Sequence, residues 1–315
     1  MKRIIISLVV LTLFVTCLGC SMPKKESDRG NSGAQSTQTF TDALNRTVTV
    51  NQPQRVGAVM GSFAEVWQLA GGKLMAVTQD AVTERGLDLE DGTIDLGSMK
   101  TPSTEVILSA DLDFLLLSAD VSGHVQLRSV LEQAGIHCAY FSVESFEDYL
   151  SMLDVCTKIT GKRDLYEQNG TKIAAQIDQA VAKSKGEEKP TVLLLRAFST
   201  GVKARGSDNM TGSMLKDLGC INIVDTNQSL LEELSMEQII LEDPDFIFVT
   251  TMGASTKKAL QTLEKRLLSH PAWKELKAVK QNRYHILPKE LFHYKPNKRW
   301  GESYEMLAEL LYQTA

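Results

Sequence analysis

Short apolar runs alternate with amphipathic segments along most of the chain. Runs such as "RVGAVM", "LDFLLLS" and "PTVLLLRAF" are continuous, as in strands that are buried on both faces of a sheet. The segments between them, such as "FAEVWQLAG" and "HVQLRSVLEQAG", space their apolar residues at helical intervals and end at glycine. Strands that alternate with helices predict a mainly parallel sheet covered by helices on both faces.

Residues 162–188 interrupt this alternation. Leu165, Ile173, Ile177 and Val181 form one apolar stripe, and charged or amide residues fill the opposite face. Residues 163–185 as one helix would be about 35 Å long, the width of a small domain. The pattern therefore predicts a connecting helix between two α/β lobes, at residues 40–161 and 189–315. The ligand cleft is expected between the lobes, because domain interfaces favour ligand pockets.

The N-terminus has the charge order of an export signal. Lys2 and Arg3 precede an apolar run and small residues, and the run is shorter than the roughly 20 residues that span a bilayer. Leu18-Gly19-Cys20 resembles the lipobox of bacterial lipoproteins, which implies a signal peptide at residues 1–19 and acylation of Cys20. Polar residues up to position 39 predict a flexible tether to the lipid anchor. A plain secretory signal or a membrane-spanning helix remains the alternative.

Composition limits the classes of ligand. The net charge of −5 does not indicate a nucleic-acid-binding protein, since such proteins carry an excess of positive charge. Cys138, Cys156 and Cys220 lie in apolar surroundings without a C-x-x-C pair, which predicts buried thiols, with one disulfide left open. The five histidines are scattered, so no bare metal site and no bound cofactor is predicted.

An ordered series of stretches carries a family resemblance from about Phe40 to the end of the chain. The stretches include "DALNRTVTVNQPQRVGAV", "LGSMKTPSTEVILSADLDFLLLS", "SMLKDLGCINIVD", "SMEQIILEDPDFIFVT" and "HPAWKELKAVKQNRYHILP". Together they resemble the periplasmic-binding-protein family that serves ABC importers of ferric siderophores, haem and cobalamin. The resemblance implies two Rossmann-like lobes joined by one long rigid helix. It also implies a monomer on the extracytoplasmic face of the membrane that delivers a small-molecule chelate to a permease dimer with its ATPase subunits.

The same resemblance implies that one carboxylate on each lobe docks onto arginines of the permease dimer. Glu105 in "PSTEVIL" and Glu237 in "SMEQII" each stand near the start of a short helix that precedes a long strand. The helix dipole alone also favours a carboxylate at the start of a helix, which is the alternative explanation for each glutamate. The matched pair, one on each lobe, favours the docking role.

Ligands of open α/β sheets meet the loops beyond the carboxyl ends of the strands. That rule selects loops in both lobes, and the last of them, "ELFHYKPNKRW", combines aromatic and cationic residues. The predicted ligand-binding residues are Met60, Ser62, Phe63, Met99, Lys100, Arg196, Lys203, Arg205, Met252, Phe292, His293, Tyr294, Lys295, Arg299 and Trp300. Core packing is the alternative for Phe292 and Trp300, and solvation is the alternative for the lysines.

Cations beside aromatic rings favour an anionic, flat-sided ligand such as a ferric siderophore. Haem or a corrinoid stays open, and an axial haem ligand could come from His293, Tyr294, Met99 or Met252. The sequence has no G-x-S-x-G, H-E-x-x-H or phosphate loop, so an enzyme is not predicted. A surface sensor that kept the fold without the transporter is the remaining alternative.

Overall fold

The computed structural model describes residues 37–232 and 234–312. The predicted signal peptide, Cys20 and the tether up to residue 36 lie outside the described residues. Strand β1 begins at Gln38, just inside the predicted end of the tether. None of the helices in the described ranges is long and apolar enough to cross a bilayer.

The N-terminal half contains a five-stranded sheet in the order β5-β4-β3-β8-β9, and all neighbouring pairs are parallel. A separate antiparallel hairpin, β1-β2, precedes it. The strands are β1 (Gln38–Thr41), β2 (Thr47–Val50), β3 (Val56–Ala58), β4 (Ala76–Val77), β5 (Ile94–Asp95), β6 (Gly97–Ser98), β7 (Thr101–Pro102), β8 (Phe114–Ser118) and β9 (His137–Phe141). The helices are α1 (Gly61–Leu69), α2 (Asp80–Thr83), α3 (Thr104–Ser109), α4 (Ser122–Gln126), α5 (Arg128–Gln133) and α6 (Phe146–Thr160).

The connecting segment is helical but not one regular α-helix. It consists of α7 (Asp164–Tyr166), a π-helical turn (Glu167–Thr171) and α8 (Lys172–Ala182). Helix α6 packs closely against this turn. A Cβ at Gly170 would lie only 2.9 Å from Cδ2 of Leu150. The Tyr149 hydroxyl donates to the Asn169 carbonyl oxygen at 2.7 Å, which pairs a backbone group of the turn. The predicted connecting helix therefore runs continuously over residues 164–182 and contains a π-helical turn.

The C-terminal half contains the second sheet, in which β10, β13 and β14 are parallel and β12 pairs with the start of β10. The strands are β10 (Thr191–Phe198), β11 (Gly201–Arg205), β12 (Ile221–Asn222), β13 (Phe246–Thr251) and β14 (Tyr284–Ile286). The helices are α9 (Met210–Asp217), α10 (Ile223–Thr226), α11 (Ser229–Glu232), α12 (Met236–Glu242), α13 (Thr256–Leu263), α14 (Lys277–Lys280), α15 (Lys289–Phe292) and α16 (Trp300–Tyr312). A π-helical turn (Glu264–Leu268) and two 3₁₀ turns (Pro271–Glu275 and Asn297–Arg299) complete this half.

Strand β11 was not predicted. It pairs with β10 in an antiparallel hairpin, so Lys203 and Arg205 lie on a strand and not on the predicted loop. The segment has only two apolar positions, Val202 and Ala204, which alternate with polar ones as expected for an edge strand.

One apolar core extends through both halves. It includes residues from each sheet, from α1, α6 and α8, and from the closing helix α16. Trp300 of α16 packs edge-on against Phe146 of α6, with ring centroids 6.0 Å apart. Helices α16 and α8 meet at Gly301, where a Cβ would lie 2.3 Å from Oε1 of Gln176. The halves are thus joined by packing as well as by the connecting segment.

All three body cysteines are buried free thiols, so the disulfide alternative is not realised among them. Burial raises the pKa of the Cys220 thiol to about 12, which makes it unreactive at neutral pH.

A cleft between the two halves

A cavity of about 440 Å³ opens between the two halves. It lies beyond the carboxyl ends of β3 and β4 on one side and of β13 and β14 on the other, as expected for an open α/β sheet. The residues that line it are Met60, Ser62, Asp80, Glu84, Arg85, Met99, Lys100, Met252, Gly253, Ala254, Lys289, His293, Tyr294 and Lys295.

Eight of the predicted ligand-binding residues meet in this cavity, although their loops are far apart in the sequence. They are Met60, Ser62, Met99, Lys100, Met252, His293, Tyr294 and Lys295. Asp80, Glu84, Arg85 and Lys289 were missed. Asp80 comes three residues after β4, so the same rule of strand ends could have found it.

Seven of the predicted ligand-binding residues do not line the cavity. Three of them lie on β10 and β11 (Arg196, Lys203 and Arg205), and the other four are Phe63, Phe292, Arg299 and Trp300. Phe63, Phe292 and Trp300 are buried in the shared core, because each stands on the inner face of its helix. Arg299 pairs with Glu302 one turn along, with Nε 2.7 Å from Oε2. Burial favours the core-packing alternative for Phe292 and Trp300, and contact of these four residues with a ligand stays a prediction.

The loop that carries Met60 and Ser62 is fixed by Asp80. The Gly61 N–H donates to Oδ2 of Asp80 at 2.7 Å, and the Thr78 hydroxyl donates to Oδ1 at 2.6 Å. Gly61 is required here, since a Cβ would lie 2.6 Å from the Ala81 nitrogen. Asp80 therefore lines the cavity and also holds in place the loop that forms this wall.

The turn that carries Met99 and Lys100 is held by α4. The His124 ring donates from Nε2 to the Met99 carbonyl oxygen at 2.6 Å and accepts at Nδ1 from the Ser118 N–H at 3.1 Å. A Cβ at Gly123 would lie 2.3 Å from the Lys100 carbonyl oxygen, so only glycine allows this approach. Burial lowers the pKa of His124, against the opposing effects of Met99 and Asp80, and favours the neutral ring that makes both hydrogen bonds.

The opposite wall is formed by α15 and the residues that follow it. The rings of His293 and Tyr294 lie 5.4 Å apart, and Nζ of Lys289 lies 5.1 Å from the centre of the Tyr294 ring. Lys289 also donates to the Gly253 carbonyl oxygen at 2.7 Å. Burial lowers the pKa of His293 to about 4, so this ring is neutral at pH 7.

The β10-β11 hairpin presents three cations on one face. Arg196 stands opposite Lys203, and Arg205 stands two residues further along the same face. The Nε atoms of Arg196 and Arg205 are buried and have no hydrogen-bond partner in the part of the chain that is described. Burial and the nearby Arg205 lower the pKa of Arg196, and Glu144 and Asp208 oppose this shift. The Met252 N–H donates to the Ala197 carbonyl oxygen at 2.9 Å, so the end of β10 lies beside a residue that lines the cavity.

Polar contacts cross between the halves beside the cavity. Nζ of Lys295 lies 2.6 Å from Oε1 of Glu144. The Asn297 side-chain amide donates to the Ser62 carbonyl oxygen at 2.9 Å. Both contacts tie the segment after α15 to the N-terminal half.

The two proposed docking carboxylates are exposed on the surface. Glu105 lies in the first turn of α3, and Glu237 lies in the first turn of α12. The Ser235 hydroxyl donates to Oε2 of Glu237 at 2.7 Å and lowers the pKa of that carboxyl, which keeps it charged.

The model of the periplasmic binding protein family matches residues 57–291 of this chain. The chain belongs to the periplasmic binding protein family. Two Bacillus subtilis (strain 168) proteins are similar along their length. The Fe(3+)-citrate-binding protein YfmC is 23% identical over 283 residues, which are 89% of this chain and 87% of that protein. The iron-uptake system-binding protein is 25% identical over 304 residues, 91% of each chain.

A solved structure has the same fold as this periplasmic binding protein. It is the periplasmic catecholate-siderophore binding protein VctP of Vibrio cholerae, with a TM-score of 0.70 and 17% identity, covering 87% of this chain and 99% of its own. The family is an extracytoplasmic class of substrate-binding transport proteins and not a class of enzymes. No group of three or more metal-binding side chains occurs within residues 37–232 and 234–312.

Proposed function

We propose that this periplasmic binding protein captures an anionic ferric chelate of the siderophore class and delivers it to the permease of an ABC importer. The observation that carries the proposal is the group of cations around the cavity, in a chain of net charge −5. Lys100, Lys289 and Lys295 line the cavity, and Arg196 and Arg205 lie on the adjacent hairpin with buried, unpartnered Nε atoms. Unpartnered buried donors favour a ligand that brings its own acceptors.

The remaining wall suits an iron chelate that is already fully coordinated. Met60, Met99 and Met252 supply polarisable apolar surface, and Tyr294 supplies an aromatic face. The cavity volume lies in the range of about 300–1,000 Å³ that is usual for small-molecule sites. The names of YfmC and VctP point in the same direction, since ferric citrate and ferric catecholates are both anionic chelates.

The test is a titration of the purified protein with ferric citrate and with a ferric tricatecholate, followed by tryptophan fluorescence. The parent protein should bind at least one of them. Arg196→Gln should weaken that binding about tenfold or more, because it removes a charge-assisted contact. Lys257→Gln, which changes an exposed lysine on α13, should bind as the parent does. A parent protein that binds neither chelate would overturn the proposal.

Haem is the second candidate, and a specific observation supports it. His293 is neutral at pH 7 and stands beside Tyr294 in the cavity, and either ring could ligate iron. A haem titration that gives a sharp Soret band, lost in His293→Gln, would assign haem in place of the siderophore.

We also propose how the protein is placed for delivery. Acylated Cys20 anchors it as a monomer on the extracytoplasmic face, with residues 20–39 as the tether. The lobes at residues 40–161 and 189–315 form the two sides of the cleft, with residues 162–188 as their connection. Glu105 and Glu237 then dock the two lobes onto the permease dimer.

A further inference from the structure

Glu144 lies at the junction between β9 and α6, and its backbone is held in place. The Asp148 carboxylate accepts hydrogen bonds from the N–H groups of Glu144 and Ser145, both at 2.9 Å, in the capping box of α6. From this fixed point the Glu144 side chain reaches Lys295 in the other half of the molecule.

The two partners of this ion pair differ in their exposure. The Lys295 side chain is 18% exposed and lines the cavity, whereas the Glu144 side chain is 51% exposed and is not among the lining residues. Lys295 thus belongs to the cleft, and the carboxylate approaches it from the solvent side. A half-exposed carboxylate can leave such a pair at low cost, since exposed ion pairs contribute little stability.

Glu144 also acts on a second cation of the group. Its charge opposes the lowering of the Arg196 pKa that burial and Arg205 produce. Glu144 therefore partly neutralises the charges of both Lys295 and Arg196. An anionic chelate that pairs with these cations would take over the same role.

We propose that Glu144 is a specificity-determining residue, an internal counter-anion that an anionic chelate must displace from Lys295. The inference rests on the proposed function, since it presumes an anionic ligand in this cleft. Its consequence is selection by charge. A ligand of high negative charge replaces the lost ion pair and gains a second contact at Arg196, whereas a neutral or cationic chelate cannot compete with Glu144 for Lys295 and leaves the pair intact.

The experiment compares Glu144→Gln with Glu147→Gln in the same titration. Glu147 is an exposed carboxylate in the first turn of α6, so the control removes the same charge without the ion pair. Glu144→Gln should bind ferric citrate or a ferric tricatecholate roughly three- to fivefold more tightly than the parent. The gain should shrink in about 0.5 M NaCl, where exposed charges are screened.

A cationic chelate and a double variant separate this role from a merely structural one. Binding of the cationic ferric hydroxamate ferrioxamine B should not improve in Glu144→Gln. In a Lys295→Gln background, Glu144→Gln should lose most of its effect, since the pair is already broken. Unchanged or weaker binding of the anionic chelate by Glu144→Gln, or an equal gain in Glu147→Gln, would overturn the inference while leaving the proposed function in place. A parent that binds no anionic chelate would overturn both.

Discussion

Burial lowers the pKa of His293 to about 4, and the charges of Arg196, Lys289 and Lys295 act in the same direction. Burial also lowers the pKa values of His124 and His285. A histidine in the unfolded chain titrates near 6.5. The unfolded state therefore binds protons at these positions before the folded state does, and acidification favours unfolding.

The stability contribution of His293 should be complete above pH 6.5 and be lost as the pH falls from 6.5 towards 4. In His293→Gln, the free energy of unfolding should fall less than in the parent between pH 7 and pH 5. The reason is that the variant lacks one of the histidines whose pKa is lower in the folded state than in the unfolded state. Urea unfolding at several pH values measures this difference. His137→Gln, which makes the same change at an exposed histidine, is the matched control. An equal fall in His293→Gln and the parent would contradict the assignment.

At the scale of elements, the sequence predicted the parallel strands well, because continuous apolar runs such as β8 and β13 are buried on both faces. It did not predict β11, whose apolar positions are too few, or the π-helical turn, which depends on the close approach of α6 to Gly170. The rule of strand ends found most of the cavity. It did not separate the buried Phe292 and Trp300 from the lining residues, because the position of a residue near a loop does not fix which side of a helix it occupies.

Helices α3 and α12 carry the proposed docking carboxylates, one on each half. Glu105→Arg with Glu237→Arg should abolish import of the chelate and leave its affinity in solution unchanged. Each reversal places a like charge against the arginines that the family resemblance implies on the permease, and neither residue lines the cavity. Uptake of the iron chelate by whole cells, beside a titration of the purified variant, gives the two readouts. Glu167→Arg with Glu305→Arg changes the net charge equally at other exposed positions and should transport normally.

At the scale of the whole molecule, Cys20 is the proposed point of attachment to the membrane. Cys20→Ser should release the protein from the membrane fraction, because the lipid is proposed to be its attachment. Metabolic labelling with a fatty-acid analogue should mark the parent and not the variant. Cys17→Ser, which lies within the predicted signal peptide, should remain labelled. A Cys20→Ser protein that stays with the membrane would indicate a spanning helix instead.

The core that extends through both halves has a consequence for the timing of transport. Separation of the halves would expose the packed rings of Trp300 and Phe146 to water, so wide opening is costly and the cleft keeps its shape when empty. A site that is already ordered binds without a large loss of conformational entropy, and a tightly held ligand then leaves slowly. We therefore expect unloading to be the slow step of the cycle, and we expect the force that opens the cleft to come from the permease rather than from the binding protein itself.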